Sequence, residues 1–367
     1  VGLIGALGVL VCRDLRAPEW VAGILVGAFF LGGACFILTT GRAIDRFGWR
    51  RAALAGQFGT VAALLLLAGT PGPWQVLLAG IALAGVGSSI TQPATSVLLT
   101  RYVEPARRGF ALNVKLAAVP AALLLAGVAV PTLGEAVDWR YAFLAAVVLP
   151  VGTILLLRGF DPAPVAVPAA APSDPRAGFR PGWRPGLSML LGSMLPGVAL
   201  AFTVPSMVAV SMTPGQAGLW FAALNVVSVG TRLGVAFLAD RPRFDGVRPV
   251  VVMLLLGGLG CALIAVPTTP TVLVGALLAF GLGWGWTGQA FAVVLRFAER
   301  PGAVAGAMQS GGMAGSALGP ILGAAAVHLW GLAGAWLLAG AAAVAAGFVI
   351  AGLPGPGPVP LVKEELA

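Results

Sequence analysis

The sequence predicts an all-α membrane protein of twelve transmembrane helices, arranged as two pseudo-symmetric six-helix bundles with a truncated first helix. Three observations predict it. Only 10% of the residues are charged and 59% are apolar, with a mean hydropathy of +0.97. A water-facing surface needs about 25% charged residues. The apolar residues also form unbroken runs of about twenty, the length that crosses a bilayer as a helix; a β-barrel would alternate apolar and polar residues instead. Finally, the second half echoes the first. Asp45-Arg46 returns as Asp240-Arg241, Gly85-x-Gly87 as Gly281-x-Gly283, and Lys115 is matched by Gln309, at offsets of 195, 196 and 194 residues.

Taken in order, spans are expected at 1–13, 20–41, 50–70, 74–100, 108–132, 140–158, 186–211, 215–238, 247–266, 270–297, 302–328 and 331–353. The first is short of the roughly 17 residues a crossing requires. It has no basic n-region or small-residue cleavage site, so it reads as the second half of a truncated helix. Pro93, Pro120, Pro196, Pro205 and Pro320 fall inside spans, where neighbouring helices can satisfy the backbone groups they free. The 53 glycines suit close helix–helix approach. Residues 159–185 hold a run of prolines, which makes an extended connection and not a packed one. It separates an N-terminal bundle, 1–158, from a C-terminal bundle, 186–353, followed by a tail, 354–367.

Charge sets the expected orientation. The net charge of +9 is spread over short loops, which excludes a nucleic-acid domain. One set of loops, near residues 42–51, 101–108, 158–184, 241–248, 296–300 and 363, carries nearly all the Arg and Lys; the opposite set holds only Arg13, Arg16 and Arg140. The positive-inside rule makes the first set cytoplasmic, with the linker, the tail and both termini of the complete protein. The excess of arginine over lysine points to a bacterial source, hence to the cytoplasmic membrane, with the lipid bilayer as a partner and a monomer as the expected state. Cys12, Cys35 and Cys261 lie in apolar runs without CxxC spacing and read as buried thiols, neither disulfides nor metal ligands. His328, the only histidine, stands at a helix end, in a structural or solvated role. No phosphate-binding glycine loop ending in Lys-Ser/Thr is present, and no His/Cys/acid cluster. Neither enzyme activity nor a cofactor or metal is expected.

Residues 41–51, Gly41-Arg42-Ala43-Ile44-Asp45-Arg46-Phe47-Gly48-Trp49-Arg50-Arg51, form a dense cationic stretch between the second and third spans. We read it as a tight charged turn, with Gly41 ending the second span. It resembles the loop 2–3 signature of the major facilitator superfamily, Gly-x-x-x-Asp-Arg-x-Gly-Arg-Arg. The match falls on Gly41, Asp45, Arg46, Gly48 and Arg50; Trp49 replaces the first arginine of the closing pair and Arg51 follows it. Trp139-Arg140-Tyr141-Ala142-Phe143 resembles the Trp-Arg-x-x-Phe that opens the sixth span in that family. The resemblance covers nearly the whole chain. It implies a secondary carrier of a small-molecule solute, working by alternating access of two bundles, with a co-transported proton or ion left open. It also implies a conformational gate at Gly41, Asp45, Arg46, Gly48, Arg50 and Arg51, echoed at Asp240 and Arg241. There the acid pairs with cations and a helix N-terminus in one conformation. Two departures disfavour drug export. Ile81 stands where many members carry an arginine before the glycine pair. The Gly-x-x-x-Gly-Pro of proton-driven drug exporters is missing from the fifth span, and a related Gly315-x-x-x-Gly319-Pro320 occurs in the eleventh.

Polar groups inside a membrane are costly and are candidate functional groups. Lys115 lies seven residues past Arg108, about 10 Å into the fifth span, with Asn113 beside it and Gln92 at similar depth on the fourth. It reads as a cationic centre for an anionic substrate; a lysine that snorkels or pairs locally is the other reading. Arg232 either shares that role or braces backbone carbonyls or Asn225. Trp284 and Trp286, two apart, point to different sides of a helix, so one at most faces a cavity. Gln289 and Gln309 offer neutral hydrogen bonds to a ligand or to neighbouring helices. No Asp or Glu lies mid-span. The favoured cargo is therefore a small or organic anion. The alternatives are export of hydrophobic compounds and, from another class, a non-transporting membrane sensor or interaction protein.

Overall fold

The computed structural model describes residues 1–69, 72–160, 183–238, 247–296 and 301–352. They are helical throughout, with no strand among the described residues. The N-terminal half holds α1 (Gly2–Asp14), α2 (Val21–Phe47), α3 (Trp49–Gly69), α4 (Trp74–Tyr102) and α5 (Pro105–Ala129). The last continues through a π-helical turn, Val130–Glu135. The sixth span is α6 (Trp139–Ala146) and α7 (Val148–Gly159), joined through a helical Val147. The C-terminal half holds α8 (Arg184–Ala209), α9 (Pro214–Leu238), α10 (Arg248–Ile264), α11 (Thr269–Gly281), α12 (Trp286–Arg296) and α13 (Pro301–Ala351). Gly331 interrupts α13 with φ 70° and ψ −174°, so α13 is two spans, and α11 with α12 is one. Twelve spans result, as expected. The expected linker lies outside the described residues apart from 159–160 and 183–185, and the expected tail lies outside them altogether.

The charged stretch is built differently from the tight turn expected. Gly41 does not end the second span; α2 runs on to Phe47, because Arg42, Arg46 and their neighbours support helix as well as apolar residues do. The turn is Gly48 alone, at φ 83° and ψ 153°, and α3 starts at the next residue. Only a residue without a Cβ takes that φ at no cost.

The internal repeat is physical. Gly85 of α4 lies against the Phe29 carbonyl of α2, and Gly87 against Gly56 of α3. In the second half Gly281 faces Val227 and Thr231 of α9, and Gly283 meets Gly257 of α10. Each glycine pair thus wedges the fourth helix of its bundle against the second and third, where small residues let backbones close up.

The halves meet at one end. α2 packs on α13, α5 on α9 and α1 on α8. Contacts join Gly23 to Pro320 and Ala324, Gly27 to Ile321, and Gly127 to Gly218 and Ala222. Trp20 lies 5.8 Å from the Trp74 ring and 6.1 Å from the His328 ring, which adds an aromatic contact between halves. All of these belong to what we call the Trp20 end. Towards the other, Gly48 end, a Cβ placed on Gly230, Gly234, Gly288 or Gly306 would meet nothing within 4 Å. The described contacts between the halves gather towards the Trp20 end. Large apolar side chains such as Val148, Leu156 and Phe348 are exposed on the outside, as a lipid-facing surface requires, while α8 is almost wholly buried.

Candidate functional site

Lys115 sits on α5, twelve residues from Gly127, about 18 Å of helix below the seam of the two halves. Its ammonium donates to the Gln92 carbonyl at 2.8 Å and to the Ser96 hydroxyl at 2.6 Å. Those acceptors are already busy. Thr95 and Ser96 hydroxyls also donate to the Gln92 carbonyl. An ammonium has three donors, so one has no partner among the described residues. Its charge has no acidic partner among the described residues. Lys115 is therefore held locally, about 15 Å along α5 from its start, with no acid among the described residues to neutralise its charge. The side chain of Asn113 lies outside the described residues.

Arg232 occupies a comparable depth on α9, ten residues from Ala222, about 15 Å from the same seam. It donates to the Trp284 carbonyl at 3.0 Å. Its Nε is buried without a partner among the described residues. The Trp284 carbonyl is free to accept because the tenth span breaks at residues 282–285. That break also changes the tryptophan argument, since helical spacing does not apply across it. Trp284 stacks near Phe280, 5.5 Å between rings. Trp286 is fully buried against Gly192 of α8 and lines no open space. Asn225 is buried too, donating to the Phe221 carbonyl at 2.8 Å; it does not meet Arg232 in any described hydrogen bond. Gln289 is buried and Gln309 exposed. Among these candidates Lys115 and Arg232, one in each half, bond carbonyls of neighbouring segments, and Asn225 and Gln289 are buried.

At the Gly48 end, Arg50 reaches across its own bundle. Its guanidinium donates to the carbonyls of Leu157 at 2.9 Å and Arg158 at 2.6 Å. These are C-terminal carbonyls of α7 that have no helical partner, and a cation there also suits the helix dipole. Trp49 explains its own departure from the family pattern. It is buried with Ile44, Ala52, Ala53 and Ala94 and packs on Tyr102, 5.6 Å between rings. Arg46 and Arg51 are exposed. The side chain of Asp45, and Asp240 and Arg241 altogether, lie outside the described residues. We expect Arg50→Ala to cost about 1 kcal/mol, less than a buried charged hydrogen bond contributes because the group is half-exposed. Arg50→Lys should recover only part, since one ammonium cannot span two carbonyls as the fork does. Thermal unfolding in detergent measures this; unchanged melting with lost activity would make Arg50 a moving gate element instead.

Sequence reasoning missed Asp14. At the Trp20 end its carboxylate accepts from the Trp139 indole at 3.0 Å and from Arg140 at 3.0 Å. Arg140 also lies 4.3 Å over the Trp139 ring, and Asp138 caps α6 by accepting from Arg140 N at 2.8 Å. This cluster ties α1 to the sixth span. The signal was present as an acid closing the first apolar run opposite a Trp-Arg pair. The cysteine expectation holds for Cys12 and Cys261, which are buried, and fails for Cys35, which is exposed, because α2 presents that face outward.

The family model described as Major Facilitator Superfamily matches residues 2–310. A puromycin resistance protein of Streptomyces alboniger is 33% identical over 146 residues, which cover 40% of this chain and 28% of that one. An uncharacterized MFS-type transporter of Pseudomonas aeruginosa is 34% identical over 155 residues, 41% of this chain and 38% of that one. The matched segments thus span about a third of these relatives' length. Among solved structures, the nucleoside transporter NupG superposes with a TM-score of 0.74 at 14% identity, covering 95% of this chain and 94% of that one. A D-xylose–proton symporter gives 0.74 at 15%, covering 96% and 93%. At these identities the likeness is one of fold.

Proposed function

The chain belongs to the Major Facilitator Superfamily, and from that premise we propose that it is a secondary carrier of a small or organic anion, working by alternating access. One observation carries the choice of cargo: Lys115, about 15 Å along α5 from its start, keeps a charge that no described acid neutralises and a donor without a described partner. Arg232 adds a second cation at similar depth in the other half. A charge inside a membrane span without an opposite partner is expensive, and a transiently bound anion offsets that cost. A cationic cargo would be repelled by the same pair. The Arg-rich Gly48 end faces the cytoplasm, so the Trp20 end, where the described contacts between the halves gather, is the outer one. Residues 41–51, with Asp240 and Arg241, act as the gate on the cytoplasmic side.

Export of hydrophobic compounds is a second reading, favoured by the similarity of part of the chain to a puromycin resistance protein. Purified full-length chain in liposomes separates the two. We expect exchange of monocarboxylates, dicarboxylates or inorganic phosphate, with no uptake of a neutral sugar, a nucleoside or a lipophilic amine. Transport confined to the neutral or cationic compounds would sink the anion reading. A pH gradient imposed in the same vesicles tests whether a proton accompanies the cargo.

A further inference from the structure

At the Trp20 end an acid of one half lies against a helix start of the other. The π-helical turn Val130–Glu135 closes α5, with Pro131 at its start. It brings the Glu135 carboxylate, a group of the N-terminal half, directly against Gly215 in the first turn of α9, in the C-terminal half. A Cβ at Gly215 would overlap Glu135 Oε2 and come within 3.2 Å of Pro131. The approach exists because residue 215 has no side chain.

The receiving turn is unusually well prepared. Thr213 and Gln216 form a reciprocal capping box: Gln216 N donates to Thr213 Oγ1 at 3.2 Å, and Thr213 N to Gln216 Oε1 at 3.1 Å. Such a box satisfies two of the donors a helix start leaves open. Ala217 N donates to the Thr213 carbonyl at 2.9 Å, and Pro214 has no N–H. The remaining donor of that turn is the N–H of Gly215; the carboxylate lies beside this residue without a hydrogen bond to it, so the attraction is that of its charge for the helix start. A negative charge is favoured at a helix N-terminus, and here the helix and the charge belong to opposite halves. Below it the seam is tightened by Gly127, Gly218 and Val130.

We propose that Glu135 is a latch: docked on the first turn of α9, it holds the two halves shut at the Trp20 end, and it must leave Gly215 before that end can open. Its charge acts between the halves, so removing it changes the balance of two conformations and leaves each bundle intact. The latch rests on the alternating-access part of the proposed function and is independent of the cargo.

The test is a distance measurement on full-length chain in lipid nanodiscs. Spin labels are placed at Val137→Cys and Leu219→Cys, both exposed positions flanking the seam, in a Cys35→Ser background. Glu135→Gln is expected to raise the separated population about 2- to 5-fold, the effect of one charge at an exposed helix terminus. Gly215→Ala should do the same with Glu135 present, by denying the carboxylate its seat. Asp138→Asn, which neutralises an acid at the same end away from the seam, should leave the distribution unchanged. Identical distributions in wild type, Glu135→Gln and Gly215→Ala overturn the latch. So does an equal shift in Asp138→Asn, which would indicate a general charge effect. Because no substrate is present, failure of the anion reading in liposomes would leave this result untouched.

Discussion

Lys115→Ala is expected to lower anion exchange by about 10- to 100-fold, mainly through a raised KM. A hydrogen bond to a charged group contributes about 1.5–3 kcal/mol, and about 1.4 kcal/mol is tenfold in an equilibrium constant. The fold should tolerate the change. The Gln92 carbonyl keeps its bonds from Thr95 and Ser96, so no buried acceptor is orphaned. Lys115→Arg keeps the charge and should retain a substantial part of the activity. It will not be equivalent, since a planar fork replaces a compact ammonium. Uptake kinetics in liposomes check both variants. If Lys115→Ala melts at a lower temperature while transporting every anion as wild type does, the lysine is a strut between α4 and α5, and the cargo assignment fails.

Gly315→Val should be the most damaging single change to stability. A Cβ at Gly315 would overlap the Leu190 carbonyl of α8. The obstacle is backbone, so no rotamer change relieves it. Moving α8 is not an alternative, because α8 is buried on nearly all sides. Gly311 and Gly319, one turn away on either side, close against α8 in the same manner. Overpacking costs about 1–3 kcal/mol in ordinary cores, and a clash with fixed backbone belongs at the upper end. We expect a large drop in the thermal midpoint, or failure to accumulate in the membrane. Gly306→Val is the matched control: it lies on the same helix and meets nothing within 4 Å. It should leave melting unchanged. Equal losses in both variants would mean that helix propensity, and not the contact with α8, is responsible.

Much of the fold was legible in the residues, and less of the site. The spans, their number and the repeat follow from apolar runs and from glycine pairs at a constant offset. The helix ends were less legible. α2 overran Gly41 because charged residues outside the hydrocarbon support helix, and the tenth span broke where glycines and tryptophans alternate. Lys115 and Arg232 were identifiable as expensive charges in apolar runs. Their partners were not, since a bond from Lys115 to the Gln92 carbonyl depends on how α4 and α5 pack. Asp14 and Glu135 sit at span ends, where an acid looks solvated in one dimension.

By itself the sequence determined that this chain is a membrane protein of two repeated bundles with an arginine-rich end. Those properties come from hydropathy, charge and period, which each residue carries wherever it is placed. The tertiary structure alone decided at which end the described contacts between the halves gather, which carbonyls hold Lys115, Arg232 and Arg50, and that Glu135 reaches across to Gly215. These contacts join residues far apart in the chain. They exist only because small residues let particular backbones approach, and a glycine's neighbours across a helix interface leave no periodic trace in the sequence.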